Sequence, residues 1–222
     1  MSGERPLWDF PPHTLAHREV AAYVLSAASG LAVVPPTVLR EGPMGRGSVQ
    51  WWVGEPEELA DPGAGVIDIF DLGQTPPDWL PVLDAEGQHG PVVLAHADDP
   101  ALRRMALFDA ITNNTDRKGG HVLRHASGRI YGVDHGLTFN VDDKLRTVLW
   151  GWAGAPLDDQ SAQVLDRLSS DLLGDTGLHT ELADLLHGDE VRRTARRVAV
   201  LLRRGRFPVR PHGWGAIPWP PF

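Results

Sequence analysis

Two carboxylates in one short stretch are the residues whose types and spacing best suit chemistry. Asp116 lies in Asn113-Asn114-Thr115-Asp116-Arg117-Lys118-Gly119-Gly120-His121, and Asp134 in Ile130-Tyr131-Gly132-Val133-Asp134-His135-Gly136-Leu137-Thr138-Phe139. Asp116 follows a helical pattern, whereas Asp134 ends a short apolar run. A carboxylate in a loop after a helix can orient an attacking hydroxyl, and one at a strand end can hold magnesium on phosphates, so the pair suits phosphoryl transfer. In a chain with 29 acidic residues, two bare aspartates would more simply cap a loop and end a strand. Their neighbours argue for chemistry. Asn113, Asn114 and Thr115 crowd polar side chains at a helix end, and Gly119 and Gly120 let backbone approach a ligand closely.

The histidines raise a second chemistry. His121, His125 and His135, with His96 further away, raise a zinc or iron site in which His121 and His125 would join Asp134, as a metal hydrolase would need. No His-Glu-x-x-His pattern accompanies them, and lone histidines are more often hydrogen-bonded structural residues. The sequence holds no Gly-x-Ser-x-Gly elbow and no Walker-type glycine loop, and the glycines from Gly42 to Gly47 read as a turn.

The 222 residues suffice for a sizeable core in one domain or two small lobes. No apolar run approaches the roughly 18 residues that cross a bilayer, no signal peptide opens the chain, and a cytoplasmic protein is expected. Absence of Cys excludes thiolate catalysis and disulfides. The net charge of −8 gives nucleic-acid binding no general support.

Helical spacing runs from Leu15 to Ser29, with Thr14 as N-cap and Gly30 as stop; by spacing alone Glu19 is a solvated residue of its first turns. Leu31–Leu39 reads as a proline-bent strand, residues 40–47 as a turn, and Ser48–Val53 as a strand ending at a lobe boundary. The segment from Glu55 to Pro100, rich in Pro, Gly and acid, reads as a long connection with short helices. Asp98 or Asp99 can cap the following helix, which delivers Asn113 and Asp116 to its C-terminal loop. Three further helices are expected at Leu157–Leu173, Leu178–Leu186 and Glu190–Leu202, the last carrying an arginine-rich face read as solvated beside acidic neighbours. The Pro- and Trp-rich tail from Phe207 is expected to pack over the surface.

Asn114-Thr115-Asp116-Arg117 with Val133-Asp134-His135-Gly136-Leu137-Thr138-Phe139 resembles the catalytic and metal-binding loops of the phosphatidylinositol 3-/4-kinase superfamily, most closely type II phosphatidylinositol 4-kinases, and is similar there to HipA-type kinases. Upstream, Arg18-Glu19-Val20-Ala21-Ala22-Tyr23 and Val34-Pro35-Pro36-Thr37-Val38 resemble the glutamate-bearing helix and next strand, and Gly47–Val53 the strand entering the adenine hinge. The whole chain is also similar to a family of high-GC bacterial kinase-like proteins.

The resemblance implies an α+β, protein-kinase-like fold. Residues 1–54 would form a truncated small N-lobe of one helix and short antiparallel strands, and residues 55–222 a mainly helical C-lobe. It implies ATP and magnesium, or manganese, as cofactors. Asp116, Arg117 and Lys118 would be catalytic, Asp134 and His121 would hold metal, and Glu19, Gln50, Trp52 and Val53 would bind nucleotide. Lipid, protein and small molecule all stay open as acceptor, with no nucleic acid and no transmembrane segment expected.

Three departures from the family pattern stand out. No lysine precedes Glu19, so the glycine-rich loop and lysine strand are expected further upstream; the alternative is a non-catalytic pseudokinase that binds nucleotide or a protein partner. His121 occupies the place of the metal-binding Asn, which favours manganese or zinc over magnesium, and Lys118 replaces the usual His.

Overall fold

A computed structural model describes residues 7–43, 45–54, 65–174, 176–211 and 214–222. It is an α+β molecule of five helices and three small antiparallel sheets among the described residues. Helix α1 (Leu15–Ala28) buries Ala21, Ala22 and Leu25 and ends beside Gly30, whose φ of 72° turns the chain where a side chain would be strained.

The expected strand at Leu31–Leu39 begins only at Thr37, because Pro35 and Pro36 cannot donate to a ladder. Residues 40–47 are not merely a turn: β1 (Thr37–Gly42) pairs with β2 (Gly45–Gln50) through a tight hairpin that consumes most of them. β2 in turn stops at Gln50, short of the expected Val53.

The region from Glu55 to Pro100 departs most from expectation. Residues 55–64 lie outside the described residues. From Ile67 onward the segment forms a three-stranded antiparallel sheet, β3 (Ile67–Asp71), β4 (Trp79–Gly87) and β5 (Gly90–Ala97), in the order β3-β5-β4 with no helix. Its apolar islands are too short for helices and are bounded by Gly and Pro, which is the signature of strands. Val93, Leu94, Ala95 and His96 of the central strand are all buried.

Helix α2 (Pro100–Thr112) is capped by Asp99, which accepts from the Ala101 amide at 2.6 Å. From Met105 to Thr112 every residue is buried, as befits a helix enclosed on all sides. Strands β6 (Val122–Arg124) and β7 (Ile130–Gly132) form a hairpin beyond it. The three later helices fall where expected, as α3 (Asp159–Leu173), α4 (Gly177–Ala183) and α5 (Gly188–Arg204). One hydrophobic cluster joins α1, the three-stranded sheet, α2 and α3 to α5, so the core is continuous across residue 54. No helix among the described residues is long and apolar enough to cross a membrane.

A buried ion pair fixes α1 against the C-terminal helices. Arg18, 1% exposed, pairs with Glu190 of α5, donates to the Thr138 carbonyl at 2.6 Å and lies over the Phe10 ring. The Glu190→Ala variant leaves that guanidinium buried and uncompensated, so urea denaturation is expected to show a loss of about 3–5 kcal/mol.

Candidate active site

The site is built where the C-terminal end of α2 meets the hairpin β6–β7. Asn113 terminates α2 in the left-handed region at φ 54°, which Asn tolerates, and turns the chain into the loop that carries Asp116. Thr115 binds the Leu137 carbonyl through both its amide and its hydroxyl, each at 3.0 Å, and the Phe139 amide donates to the Thr112 carbonyl at 2.6 Å. The loop after α2 and the loop after β7 are therefore stitched together.

Arg117 is the hub of this junction. It is fully buried and paired with the equally buried Asp109 of α2, to which Nε and Nη2 both donate. Nη1 reaches the Val133 carbonyl at 2.8 Å, and Nη2 also meets Nε2 of His135 at 2.6 Å. A guanidinium only donates, so that Nε2 accepts and the His135 proton sits on Nδ1. Burial and the adjacent Arg117 hold the His135 pKa well below its usual value, keeping the ring neutral. Asp109 also accepts from Asn114 at 3.0 Å and from the Thr147 hydroxyl at 3.2 Å.

These bonds recast two sequence expectations. Arg117 does not face solvent; it positions the residues on either side. His135 is a buried acceptor for it. The fully buried Asp109 was missed as a site residue, although a carboxylate inside the apolar run Ala106-Leu107-Phe108-Asp109-Ala110-Ile111 was the available signal.

Around the hub, the expected polar residues converge. Lys118 Nζ lies 3.5 Å from Asp116 Oδ2, and His121 Nε2 lies 3.5 Å from Asp134 Oδ2. Asp134 sits at φ 57°, an uncommon conformation for a non-glycine residue and one that concentrates at functional positions. Glu19 of α1 reaches in from the opposite side, where the amides of His135 and Gly136 bond its carboxylate. Burial raises the Glu19 pKa from 4.5 to about 7, with the Asp134 charge adding to the rise. Asp116 is raised by burial and, secondarily, by Asp134, while Lys118 and His121 oppose the rise. His121 is lowered by burial and by Arg117, so its imidazole is neutral and its Nε2 can serve as a ligand.

The nucleotide-binding expectations are dispersed more widely. Gln50 at the end of β2 spends its amide on the Thr37 hydroxyl at 2.8 Å, Trp52 is 67% exposed and Val53 is buried. Trp51 bridges this segment to the site by packing edge-on against Tyr131 of β7. The metal-hydrolase set is not assembled. His125 bonds Ser127 and lies against Trp51, while His96 is buried beside Trp152 and accepts from the Gly151 amide at 3.0 Å. Among the described residues no three His or acidic side chains form a metal-holding group.

The tail does more than cover surface. The Gly119 amide donates to the Pro221 carbonyl at 2.7 Å, and a Cβ on Gly119 would lie 2.3 Å from the Phe222 ring. The glycine thus lets the tail clamp the loop next to Lys118.

No family model matches the chain. Among curated proteins, it is 48% identical over 227 residues to Protein Rv2133c of Mycobacterium tuberculosis (strain ATCC 25618 / H37Rv), covering the whole of this chain and 81% of that protein.

Two outcomes test this geometry. Arg117→Met leaves Asp109 buried and unpaired and is expected to cost about 3–5 kcal/mol in chemical denaturation, whereas Lys118→Ala, at a half-exposed pair, costs about 1 kcal/mol or less. The second concerns pH. Glu19 binds its proton more tightly folded than unfolded, so the stability this contributes is complete below pH 4.5 and is lost as pH rises through 7. Glu19→Gln should match the wild type near pH 4 and exceed it by ~3 kcal/mol at pH 8, as read from denaturation at the two pH values.

Proposed function

We propose, for a chain that belongs to the family of Protein Rv2133c, an ATP-dependent phosphotransferase activity carried out in a protein-kinase-like arrangement. Kinship is established over the full chain; the chemistry is argued from the site. The observation that carries it is the convergence of Asp116 and Asp134 on a single buried hub, with Glu19 bonded to the backbone of the Asp134 loop.

In this reading Asp116 accepts the proton of an attacking hydroxyl. Its raised pKa brings it closer to neutrality, which suits a base that must take and release a proton. Lys118, 3.5 Å from it, can neutralise charge on the transferring phosphoryl group. Asp134 and His121 would hold a divalent cation through an exposed carboxylate and a neutral imidazole 3.5 Å away, donor types that suit manganese as well as magnesium, with the carboxylates of Glu19 and Asp116 nearby. Magnesium or manganese would supply neutralisation of the phosphate oxygens. Glu19 holds the Asp134 loop in place through the His135 and Gly136 amides. The segment through Trp52 and Val53 would supply backbone to adenine. The acceptor, whether lipid, protein or small molecule, is left open by the site.

One observation favours the non-catalytic alternative, a pseudokinase. The chain has two lysines: Lys118 pairs with Asp116, and Lys144 pairs with Asp9 and Asp142. Glu19 therefore has no lysine partner in this chain with which to hold the α- and β-phosphates. Calorimetry of ATP with magnesium and with manganese, combined with an assay of ADP release, separates the readings. Metal-dependent binding lost in Asp134→Ala, with turnover falling about 10²–10⁴-fold in Asp116→Asn while binding persists, supports phosphotransfer. Binding without turnover supports the pseudokinase, and binding indifferent to Asp134→Ala overturns both.

A further inference from the structure

The basic face of α5 is solvent-exposed at Arg196, Arg203 and Arg204, and its acidic neighbours, Asp189 beside Arg192 and Asp143 beside Arg197, serve only part of it. Arg193, Arg196, Arg197, Arg203 and Arg204 line one wall of a groove of about 700 Å³, and Lys144, Arg146 and Arg206 line the rest of its charged rim. The only carboxylate in the lining is Asp143, which is paired with Arg197. Among the described residues no carboxylate pairs with Arg146, Arg193, Arg196, Arg203 or Arg204. In a protein of net charge −8, this many uncompensated cations around one concavity is a concentrated positive field.

Arg197 is the arginine of this wall that has a carboxylate partner. Its side chain is 11% exposed; Nε donates to Asp143 at 3.1 Å and Nη2 to the Asn140 carbonyl, while Nη1 is buried with no hydrogen-bond partner. Arginine presents a fixed planar fork of donors that matches phosphate oxygens, and the exposed guanidinium groups of Arg196, Arg203 and Arg204, with no carboxylate partner among the described residues, suit a phosphate. Behind the guanidinium groups the lining turns apolar at Val200, Leu201, Pro208 and Val209.

From the groove's volume and its excess of exposed arginines without carboxylate partners, we infer that this is a binding site for a compact ligand carrying clustered phosphate groups. The volume is that of a small-molecule site. Among the described side chains the aromatic ring in the lining is Trp150, which is buried and spends its indole N–H on the Ala216 carbonyl. The cations line a concave cleft, whereas a membrane surface would meet a flat or convex one. The site is separate from the carboxylate cluster, and the inference does not rest on phosphotransfer. The two are mechanically adjacent, because Asn113 and Arg146 line the groove while the Arg146 amide donates to Asn114 and its carbonyl accepts from Arg117.

The experiment is calorimetry of the full chain with sodium tripolyphosphate in EDTA, where without a divalent cation the carboxylate cluster repels the probe. Saturable binding is expected, tighter than that of inorganic phosphate, and weakened about tenfold or more by each of Arg196→Glu and Arg203→Glu. Both arginines are exposed, so these variants should fold, which circular dichroism checks. Arg40→Glu on the exposed hairpin β1–β2 should leave binding unchanged. Absent binding, or equal weakening in Arg40→Glu, overturns the site. Tight binding to phosphatidylserine vesicles that tripolyphosphate does not displace also overturns it, in favour of a membrane surface.

Discussion

The buried pair between Asp109 and Arg117 is the interaction on which the rest of the site depends. A buried ion pair gains little net stability, since desolvation offsets most of the attraction. What it does is convert the stability of the core into the position of loops. Both partners sit at 0% exposure, so every donor of the guanidinium must find an acceptor, and those acceptors lie on Val133 and His135 as well as Asp109. Asp134 lies between Val133 and His135, and Asp116 immediately precedes Arg117. The separation of the two carboxylates is thereby fixed by groups that themselves touch no ligand.

A second constraint acts through α1. Arg18 and Glu19 are neighbours in sequence with opposite tasks: Arg18 is tied to Glu190 and to the Thr138 carbonyl, and Glu19 to the amides of His135 and Gly136. The helix is thus anchored both to α5 and to the loop bearing Asp134. Holding Glu19 in a largely buried place beside Asp134 costs free energy once it ionises, a cost reflected in its pKa near 7.

Much of this was legible in the sequence, for identifiable reasons. The helices α1, α2, α3 and α5 announce themselves by periodicity and, for α2, by the cap Asp99, which are local signals. Asp116, Lys118, His121, Asp134 and Glu19 were marked in advance, and they do converge. The sheet β3-β5-β4 was missed because acidic and Pro-rich connections outweighed apolar islands of only a few residues, whose strand character depends on pairing partners. Arg117 and Gln50 were read as ligand-facing, although burial and partner choice, which sequence does not display, commit both to internal bonds. Asp109 escaped notice for the opposite reason, since a single acid in a helix ordinarily reads as solvated.

The distribution of charge joins these points. The carboxylates Glu19, Asp116 and Asp134 gather on one side of the loop that follows α2, with Lys118 and His121 beside them. The arginines of α5 with Arg146 create a shortage of negative charge in the groove that Asn113 and Arg146 line. The two groups of charge meet at one hydrogen-bonded junction, where Arg146 bonds the backbone of Asn114 and Arg117 and the buried Arg117 is satisfied by Asp109. A cation on one side and an anion on the other would each stabilise the same backbone, through the bonds that Asn114 and Arg117 make with Arg146. Occupancy of either would be felt at the other to the extent that this shared loop has more than one arrangement.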